Sequence, residues 1–344
     1  AFLSAGALPV DADILLPAET LLDLYGEDIR ARAYVTTDPV LGEMMLRPDF
    51  TVPVVQAHMA HGADPARYCY MGEVFRSQDT SGAREYLQVG FEVFDRAAPE
   101  QADAEVFALF SSLLADTTAR PVTGDIGILR AAVQGLDTSD RRKSALLRHI
   151  WRPQRFRALL DRFAGRAPVP EVRAALLQRL ATGSVEVLMQ AAGPLVGLRT
   201  AEEIAARVEA LIEDSDAKPI AAPEAALLYD LLSLQAPADA ALAHLRGITF
   251  LLPAILPAVD RFAARLAALR DRGIDTGRLA FEASLGRTSM EYYDGFTFSF
   301  LADGLPAVAT GGRYDALTAV LGQGSSIPAV GGVIQPALVL QVRA

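Results

Sequence analysis

Residues 70–94 read YMGEVFRSQDTSGAREYLQVGFEVF, and this stretch decides how the chain is expected to fold. An apolar segment ends at Phe75 and Arg76, a polar turn follows, and a second segment alternates polar and apolar residues through Gln88 and Glu92. Alternation with a period of two is typical of a strand that has one buried face. The stretch therefore predicts a β-hairpin that displays one arginine and several polar groups on one face.

The composition of the chain limits its class. With 344 residues, of which 51% are hydrophobic, the chain can bury a sizeable core in one large domain with an insertion. A formal net charge of −10 gives an average surface that repels polyanions, so binding of nucleic acid is disfavoured. The single cysteine, Cys69, leaves no internal disulfide and no cysteine-based zinc cluster. We expect a buried thiol in a reducing compartment.

Neither a membrane span nor a metal site is expected. The longest apolar stretch, from Phe250 to Val259, contains two prolines and is shorter than the roughly 18 residues that a span needs. The apolar N-terminus has no basic residues before it, which makes a poor signal peptide, so we expect a cytoplasmic protein. His58 and His61 have helical spacing, but without a third ligand they favour a surface helix over a metal site.

Three zones of composition divide the chain. The patterns of the first zone, residues 1–139, predict helices over 17–29, 51–61 and 103–116 and paired strands over 33–38 and 42–48. Residues 140–245 are rich in Ala, Leu, Arg and Glu with helical spacing, which predicts a helical insertion. Within the last zone, residues 246–344, strand patterns return from Ala280 onward, with Gly304 at a hairpin turn. This order predicts an α+β fold with a largely antiparallel sheet flanked by helices.

Several segments resemble the class II aminoacyl-tRNA synthetases, most closely histidyl-tRNA synthetase. Besides the hairpin, they are LRPDFT at 46–51, QVGFE at 88–92, EYYDG at 291–295, GGRYDAL at 311–317 and AVGGVIQPALV at 329–339. The resemblance covers nearly the whole chain and follows the family's order. It implies a class II synthetase-like catalytic domain, with motifs 1 and 2 in the first zone and the histidine-specific element and a degenerate motif 3 in the last.

The resemblance also implies a pocket for an amino acid. The matched positions are Asp49, Thr51, Gln88, Glu92 and Tyr292. We expect Gln88 and Glu92 to hold the ammonium of histidine with help from Asp49 and Thr51, because charge-assisted hydrogen bonds are about twice as strong as neutral ones. The imidazole is expected near Tyr292.

Some of these residues have a second interpretation. Glu92 could be a solvated strand carboxylate, although Gln88 beside it favours a ligand role. Arg76 and Arg313 could bind an anion or form structural ion pairs, with Asp79 or Glu85 as partners for Arg76. Because side chains alternate along a strand, only one of the tyrosines at 292–293 is expected to enter the pocket.

Departures from the synthetase pattern remove much of the adenylation site. The motif 3 arginine of the family clamps ATP, but Leu338 occupies its position here and cannot stabilise a phosphate. Gln78 replaces the motif 2 glutamate, and Thr288 occupies the position of the histidine-specific arginine, with Arg287 one residue out of register. The sequence ends at Ala344, so no anticodon-binding domain is expected. Stabilisation by fixed cations is the main contribution of the protein to adenylyl transfer. With these positions changed, the part of the pocket that is retained is mainly the part that binds the amino acid.

A synthetase-like body with these losses resembles the regulatory subunits of the short-form ATP phosphoribosyltransferases. This resemblance implies a non-catalytic activator and histidine sensor, without a cofactor, that pairs with a catalytic subunit in histidine biosynthesis. It also implies a homodimer within a larger hetero-oligomer. The sequence lacks the acidic run and Thr-Gly loop with which phosphoribosyltransferases bind pyrophosphate, so catalysis is expected in the partner. Two alternatives remain open: a divergent ligase that activates an amino acid, and a dimeric scaffold with an empty pocket.

Overall fold

A computed structural model describes residues 1–19, 33–76, 84–194, 197, 199–285 and 292–343. They form two compact units, one from residues 1–131 with 231–344 and the other from residues 132–230. The first unit contains the β-sheets, and the described residues of the second form helices and connecting loops.

The strands of the first unit form two sheets. Their bounds are β1 (Leu8–Pro9), β2 (Leu15–Pro17), β3 (Val35–Asp38), β4 (Gly42–Leu46), β5 (Ala66–Phe75), β6 (Glu85–Phe94), β7 (Arg120–Asp125), β8 (Gln235–Pro237), β9 (Ala280–Glu282), β10 (Phe296–Leu301), β11 (Ala309–Arg313) and β12 (Ala329–Ile334). In the described part of the chain, the main sheet has nine strands in the order β1-β5-β6-β12-β11-β10-β7-β9-β8. The smaller sheet has the order β2-β4-β3. Only β1–β5 and β7–β9 pair in parallel among these strands, which confirms the predicted α+β fold.

Helices flank the main sheet and build the second unit. Their bounds are α1 (Thr51–His61), α2 (Pro99–Leu113), α3 (Ile126–Gln134), α4 (Asp140–Arg148), α5 (Pro153–Phe163), α6 (Glu171–Thr182), α7 (Val185–Ala192), α8 (Ala201–Asp216), α9 (Ala222–Ser233), α10 (Ala238–Ile248), α11 (Leu256–Asp271), α12 (Asp315–Leu321) and α13 (Pro336–Val342). The helices predicted over 51–61 and 103–116 are present as α1 and α2. The one predicted over 17–29 falls mostly outside the described residues, and Pro17 ends β2.

The predicted hairpin is formed by β5 and β6, which pair antiparallel along their whole length. Tyr70 lies opposite Gly90, and a Cβ at Gly90 would sit 2.1 Å from the Tyr70 ring. The next strand in the sheet is β12, where Gly331 lies opposite Glu92. Glycines at these two positions leave room for the side chains of Tyr70 and Glu92 above the sheet.

The core of the first unit is aromatic where α2 packs on β10. The ring of Phe107 lies 5.7 Å from those of Phe298 and Phe300, and the ring of Phe110 lies 5.4 Å from that of Phe298. All four side chains are buried. Edge-on and offset ring pairs of this kind add to the stabilisation from apolar burial.

A buried ion cluster, here called the Asp103 cluster, joins α2, α11, β7 and β11. Asp103 accepts hydrogen bonds from Arg265 at 3.1 Å and from Arg313 at 2.7 Å, and Arg265 also donates to Asp125. Arg313 donates further to Asp315 at 3.0 Å. Burial lowers the pKa of Arg313, but the charges of Asp103 and Asp315 outweigh this and raise it overall. Arg313, which the sequence left between two interpretations, thus has a structural ion-pair role.

The structure corrects the boundaries of the helical insertion. The compact helical unit spans residues 132–230, whereas the composition predicted 140–245. Residues after 230 belong to the first unit because β8 pairs antiparallel with β9 at the edge of the main sheet. The Ala-rich composition continues into α10, which hides this boundary in the sequence.

The expectation of a surface position for His58 was wrong. Its side chain is buried, its ring stacks on Phe94 at 3.8 Å, and its Nδ1 lies 3.2 Å from the hydroxyl of Tyr68. Burial lowers the pKa of His58. Within the described ranges, no group of three or more His, Cys, Asp or Glu side chains could hold a metal ion. Cys69 is buried and free, as predicted.

No helix in the described part of the chain combines the length and apolar character that crossing a membrane requires.

Candidate functional site

A polar cavity of about 170 Å³, here called the sheet cavity, lies on one face of the main sheet. Its lining comprises Asp49, Thr51, Arg76, Gln88, Tyr292, Tyr293, Ala307, Ala309, Thr310, Val333 and Gln335. Most of the predicted site residues therefore come together in one place. Glu92 and Arg313 are not part of this lining.

Asp49 fixes an acidic group at the start of α1. Its Oδ1 accepts hydrogen bonds from the backbone N–H groups of Thr51 at 3.1 Å and Val52 at 3.4 Å. These N–H groups belong to the first turn of the helix, where no intrahelical partner exists, so the carboxylate satisfies them as a cap does. The segment 46–51 thereby holds both Asp49 and Thr51 in fixed positions at the sheet cavity.

Gln88 provides the clearest sign of a ligand. Its side chain lies on β6, is only 2% exposed, and lines the sheet cavity. Its Oε1 has no hydrogen-bond partner among the described residues. Leaving a buried acceptor unsatisfied costs about 1–3 kcal/mol, so such an atom marks a place where a donor from a ligand would be favourable.

Arg76 supplies the positive charge at the cavity. It directly follows β5, and its Nε donates to the backbone oxygen of Pro48 at 2.7 Å. Its guanidinium lies 6.0 Å from the ring centre of Tyr86. Asp79, one of its predicted partners, lies outside the described residues. The described charged side chains in the lining are Asp49 and Arg76, and one charge of each sign suits a zwitterion.

Glu92 lies one layer behind the sheet cavity. The hydroxyl of Tyr314 donates to its Oε2 at 2.6 Å, and those of Tyr70 and Thr51 donate to its Oε1 at 2.8 and 3.3 Å. The Thr51 hydroxyl also lies 3.4 Å from that of Tyr292, so it connects Glu92 to the cavity lining. Burial raises the pKa of Glu92 to about 7, even though these three hydrogen bonds act to lower it.

The raised pKa of Glu92 predicts a pH-dependent free energy of unfolding. Because the pKa is about 7 in the folded chain and returns to 4.5 on unfolding, the folded state holds more protons between these values. Stability therefore falls as the pH rises through this window, by about 3 kcal/mol in all, and levels off above it. The pKa of Asp294 is also raised, to about 6, and adds a slope of the same sign at lower pH. We therefore expect Glu92→Gln to reduce the slope in urea denaturation mainly between about pH 6 and about pH 8.

The control for this measurement is Glu85→Gln, since Glu85 is exposed at the start of β6. That variant should keep the slope of the unchanged protein. An equal slope in the Glu92→Gln variant would show that Glu92 ionises normally.

Both Tyr292 and Tyr293 line the sheet cavity, which corrects the expectation that only one of them enters it. The two residues lie in the turn that precedes β10 and not on a strand, so their side chains do not alternate. Their rings meet edge to face at 4.8 Å. Burial raises the pKa of Tyr293. Arg287 and Thr288, which bear on the histidine-specific element, lie outside the described residues.

Thr310 and Gln335 also line the cavity and were not predicted. Thr310 lies on β11 directly before the matched glycines, and Gln335 precedes α13 at a glycine position of the synthetase motif. The signal for Gln335 was present in the sequence, because a polar residue in place of a motif glycine adds a side chain at the site. Thr310 carried no such signal.

Comparison with known proteins gives a consistent assignment. The family model described as histidyl-tRNA synthetase matches residues 9–236 and 212–338. The ATP phosphoribosyltransferase regulatory subunit of Allorhizobium ampelinum is 33% identical over 96% of this chain and 92% of that protein. The regulatory subunit of the same name from Chelativorans sp. is 34% identical over 96% of this chain and 92% of its own length.

Solved structures share the fold. An ATP phosphoribosyltransferase regulatory subunit/histidyl-tRNA synthetase from Bacillus halodurans superposes with a TM-score of 0.69 at 19% identity, covering 100% of this chain and 76% of that chain. Histidyl-tRNA synthetase from Nostoc sp. superposes with a TM-score of 0.64 at 17% identity, covering 99% of this chain and 68% of that one. These likenesses confirm the class II synthetase-like fold.

Proposed function

This chain belongs to the family of ATP phosphoribosyltransferase regulatory subunits, and on that premise we propose that it activates a short-form catalytic subunit and takes part in inhibition by histidine. The family name places the protein in histidine biosynthesis. In this proposal the chain itself is non-catalytic, forms a homodimer, and joins the catalytic subunit in a cytoplasmic hetero-oligomer.

The observation that carries the proposed sensing role is the unsatisfied Oε1 of Gln88 in a small cavity of balanced charge. The ammonium group of histidine would donate to this oxygen near Asp49, and its carboxylate would meet Arg76. The imidazole would lie at the tyrosines of 292–293. A zwitterion placed in this way pairs each of its charges with one of opposite sign, which strengthens the hydrogen bonds that it makes.

Glu92 takes a supporting role in this proposal, in place of the direct contact that the resemblance implied. Its oxygens already accept from Tyr70, Tyr314 and Thr51, so it would hold the Thr51 hydroxyl in position and not the ligand. Gln88 and Asp49 then remain as the ligand-facing acceptors.

The charge of the sheet cavity supports a non-catalytic role. Arg76 is the one cation in its described lining, whereas a triphosphate carries several negative charges that need fixed cations or metal ions. The position of the motif 3 arginine holds Leu338, which lies on α13. A small zwitterion fits this lining better than ATP does.

Histidine regulates the partner only if it binds the active and inactive assemblies unequally. A coupling free energy of ~1 to 3 kcal/mol is typical of such effectors. A site with equal affinity for both assemblies would shift nothing, however tightly it bound.

The experiment is phosphoribosyl transfer by a short-form catalytic subunit, with and without this chain, over a histidine titration. We expect stimulation that histidine reverses. In calorimetry on the chain alone, Gln88→Met should weaken histidine binding about tenfold, because it removes the carbonyl acceptor at similar side-chain volume. Gln56→Met on the exposed face of α1 is the matched control and should leave the affinity unchanged.

The other outcomes are equally specific. Stimulation without any histidine binding would favour a dimeric scaffold with an empty pocket. Failure to form a complex or change the rate, together with amino-acid-dependent pyrophosphate exchange, would favour a divergent ligase. Unchanged histidine affinity in the Gln88→Met variant would place the effector site elsewhere.

A further inference from the structure

The helical unit contains a second cavity, here called the arginine cavity, of about 220 Å³. It lies among α4, α5, α6 and α8. Its charged lining comprises Arg141, Arg142, Arg162, Arg173, Arg207 and Asp214. Five arginines face one aspartate in a protein whose overall net charge is −10, so the positive charge is concentrated locally.

Arg142 and Asp214 form the floor of the arginine cavity. Arg142 donates from Nε to Asp214 Oδ1 at 2.6 Å, from Nη2 to the Asp214 backbone oxygen at 2.6 Å, and from Nη1 to the Lys218 oxygen at 2.7 Å. Both side chains are nearly buried. All the nitrogens of Arg142 are thus committed to closing the C-terminal end of α8, where carbonyl groups lack helical partners.

Asp214 is shared by more cations than it can neutralise. Arg173 donates to its Oδ2 at 2.5 Å, and Arg162 approaches the same oxygen at 3.7 Å. Glu213 pairs with Arg141 at 2.9 Å on the exposed side. Even with Glu213 included, the five arginines face two carboxylates. Like charges held this close repel one another, and an anion between them relieves the repulsion.

Two of the arginines make no hydrogen bond to a described residue. Arg162 packs over the ring of Phe163 at 4.6 Å, and its guanidinium makes no hydrogen bond to a described residue. Arg207 lines the rim and likewise has no acceptor within the described ranges. The planar fork of an arginine matches the oxygens of a phosphoryl group and binds them through two parallel hydrogen bonds.

We propose that the arginine cavity binds the phosphoryl group of a small molecule, held by Arg162, Arg173 and Arg207 above the floor formed by Arg142 and Asp214. The acidic net charge of the chain disfavours a long polyanion such as RNA, and a small phosphate-bearing ion avoids that repulsion. The site lies wholly within residues 132–230, so the proposal does not depend on the histidine pocket or on the regulatory function.

The test is calorimetry on the full chain in phosphate-free buffer, with inorganic phosphate and ATP as separate probes. We expect binding of at least one probe, and we expect the double variant Arg162→Gln/Arg207→Gln to weaken it at least about tenfold. Arg179→Gln, an exposed arginine on α6, is the matched control and should bind like the unchanged protein. Arg76→Gln tests whether ATP binds in the sheet cavity instead. This variant should bind phosphate and ATP as the unchanged protein does, because Arg76 is not part of the arginine cavity.

The two probes distinguish the source of the phosphoryl group. Binding of both indicates a site that accepts free phosphate, and binding of ATP alone indicates a phosphoryl group carried on a larger molecule. No heat with either probe up to roughly 10 mM would overturn the proposal. Equal affinity in the double variant, loss of binding in Arg76→Gln, or an Arg162- and Arg207-dependent site that takes only an RNA oligonucleotide would also overturn it.

Discussion

Asp103→Ala should lower the free energy of unfolding of the first unit by about 3 to 5 kcal/mol, which is a large part of the stability of a typical domain. Asp103 is 1% exposed and accepts from both Arg265 and Arg313. Its removal leaves two buried guanidinium groups short of a counter-charge. Because Asp125 and Asp315 each engage only one of these arginines, they cannot replace Asp103.

Urea denaturation followed by circular dichroism measures this effect. Asp103→Asn separates the effect of the lost charge from that of the lost volume, since asparagine has nearly the same side-chain volume as aspartate. It should still cause most of the loss that is expected for Asp103→Ala. Asp303→Ala is the control, because its pair with Arg120 is exposed and such pairs contribute little. A loss for Asp103→Ala no greater than that for Asp303→Ala would mean that the Asp103 cluster contributes nothing net to the fold.

Gly331→Ala should be nearly as damaging, by about 3 kcal/mol or more, although it adds a single methyl group. A Cβ at Gly331 would lie 1.4 Å from Glu92 Oε2 and 2.9 Å from the backbone oxygen of Phe91. The carboxylate would have to move, and its hydrogen bonds from Tyr314 and Tyr70 would break in a buried place. Overpacking and unsatisfied hydroxyl groups then add to each other.

The matched control is Gly247→Ala in α10, where a new Cβ would meet nothing within 4 Å. This change should be neutral or slightly stabilising, because alanine favours a helix over glycine. The measurement is the midpoint of thermal unfolding of each variant, compared with that of the unchanged chain. Equal midpoints for the Gly331 and Gly247 variants would show that Glu92 can move at little cost.

The β5–β6 hairpin is an element that the sequence pattern predicts correctly. The alternation through residues 85–94 reflects a strand with one face in the core, and β5 and β6 form as predicted. The helices α1 and α2 follow from apolar spacing in the same way. The C-terminal boundary of the helical unit could not be predicted from the sequence pattern, because β8 is short and becomes a strand only through its pairing with β9. That pairing depends on residues more than 40 positions later in the chain.

The sequence named most of the polar residues that line the sheet cavity, but it did not indicate how deeply each one lies. Asp49, Thr51, Gln88 and Tyr292, four of the five positions expected in the pocket, line one cavity together with Arg76. Their role in binding a ligand stays a prediction. The sequence could not show that Glu92 lies behind Thr51. This position depends on a hydrogen bond from Tyr314, which directly follows β11 and is far from Glu92 in the chain. His58 was misassigned for a related reason. Its burial against Phe94 comes from the packing of α1 on the sheet, and helical spacing alone does not report it.

The place of β12 beside β6 sets the order in which this protein can complete its fold during synthesis. The hairpin of β5 and β6 leaves the ribosome with one edge of β6 unpaired, and its partner β12 follows only about 240 residues later. At translation rates of about 5–20 residues per second, that edge waits for roughly 10 to 50 s. The contiguous helical unit is made within this interval and can fold before the sheet closes. An open strand edge templates pairing with other chains, so we expect this interval to be the one in which the nascent protein is exposed to aggregation through β6.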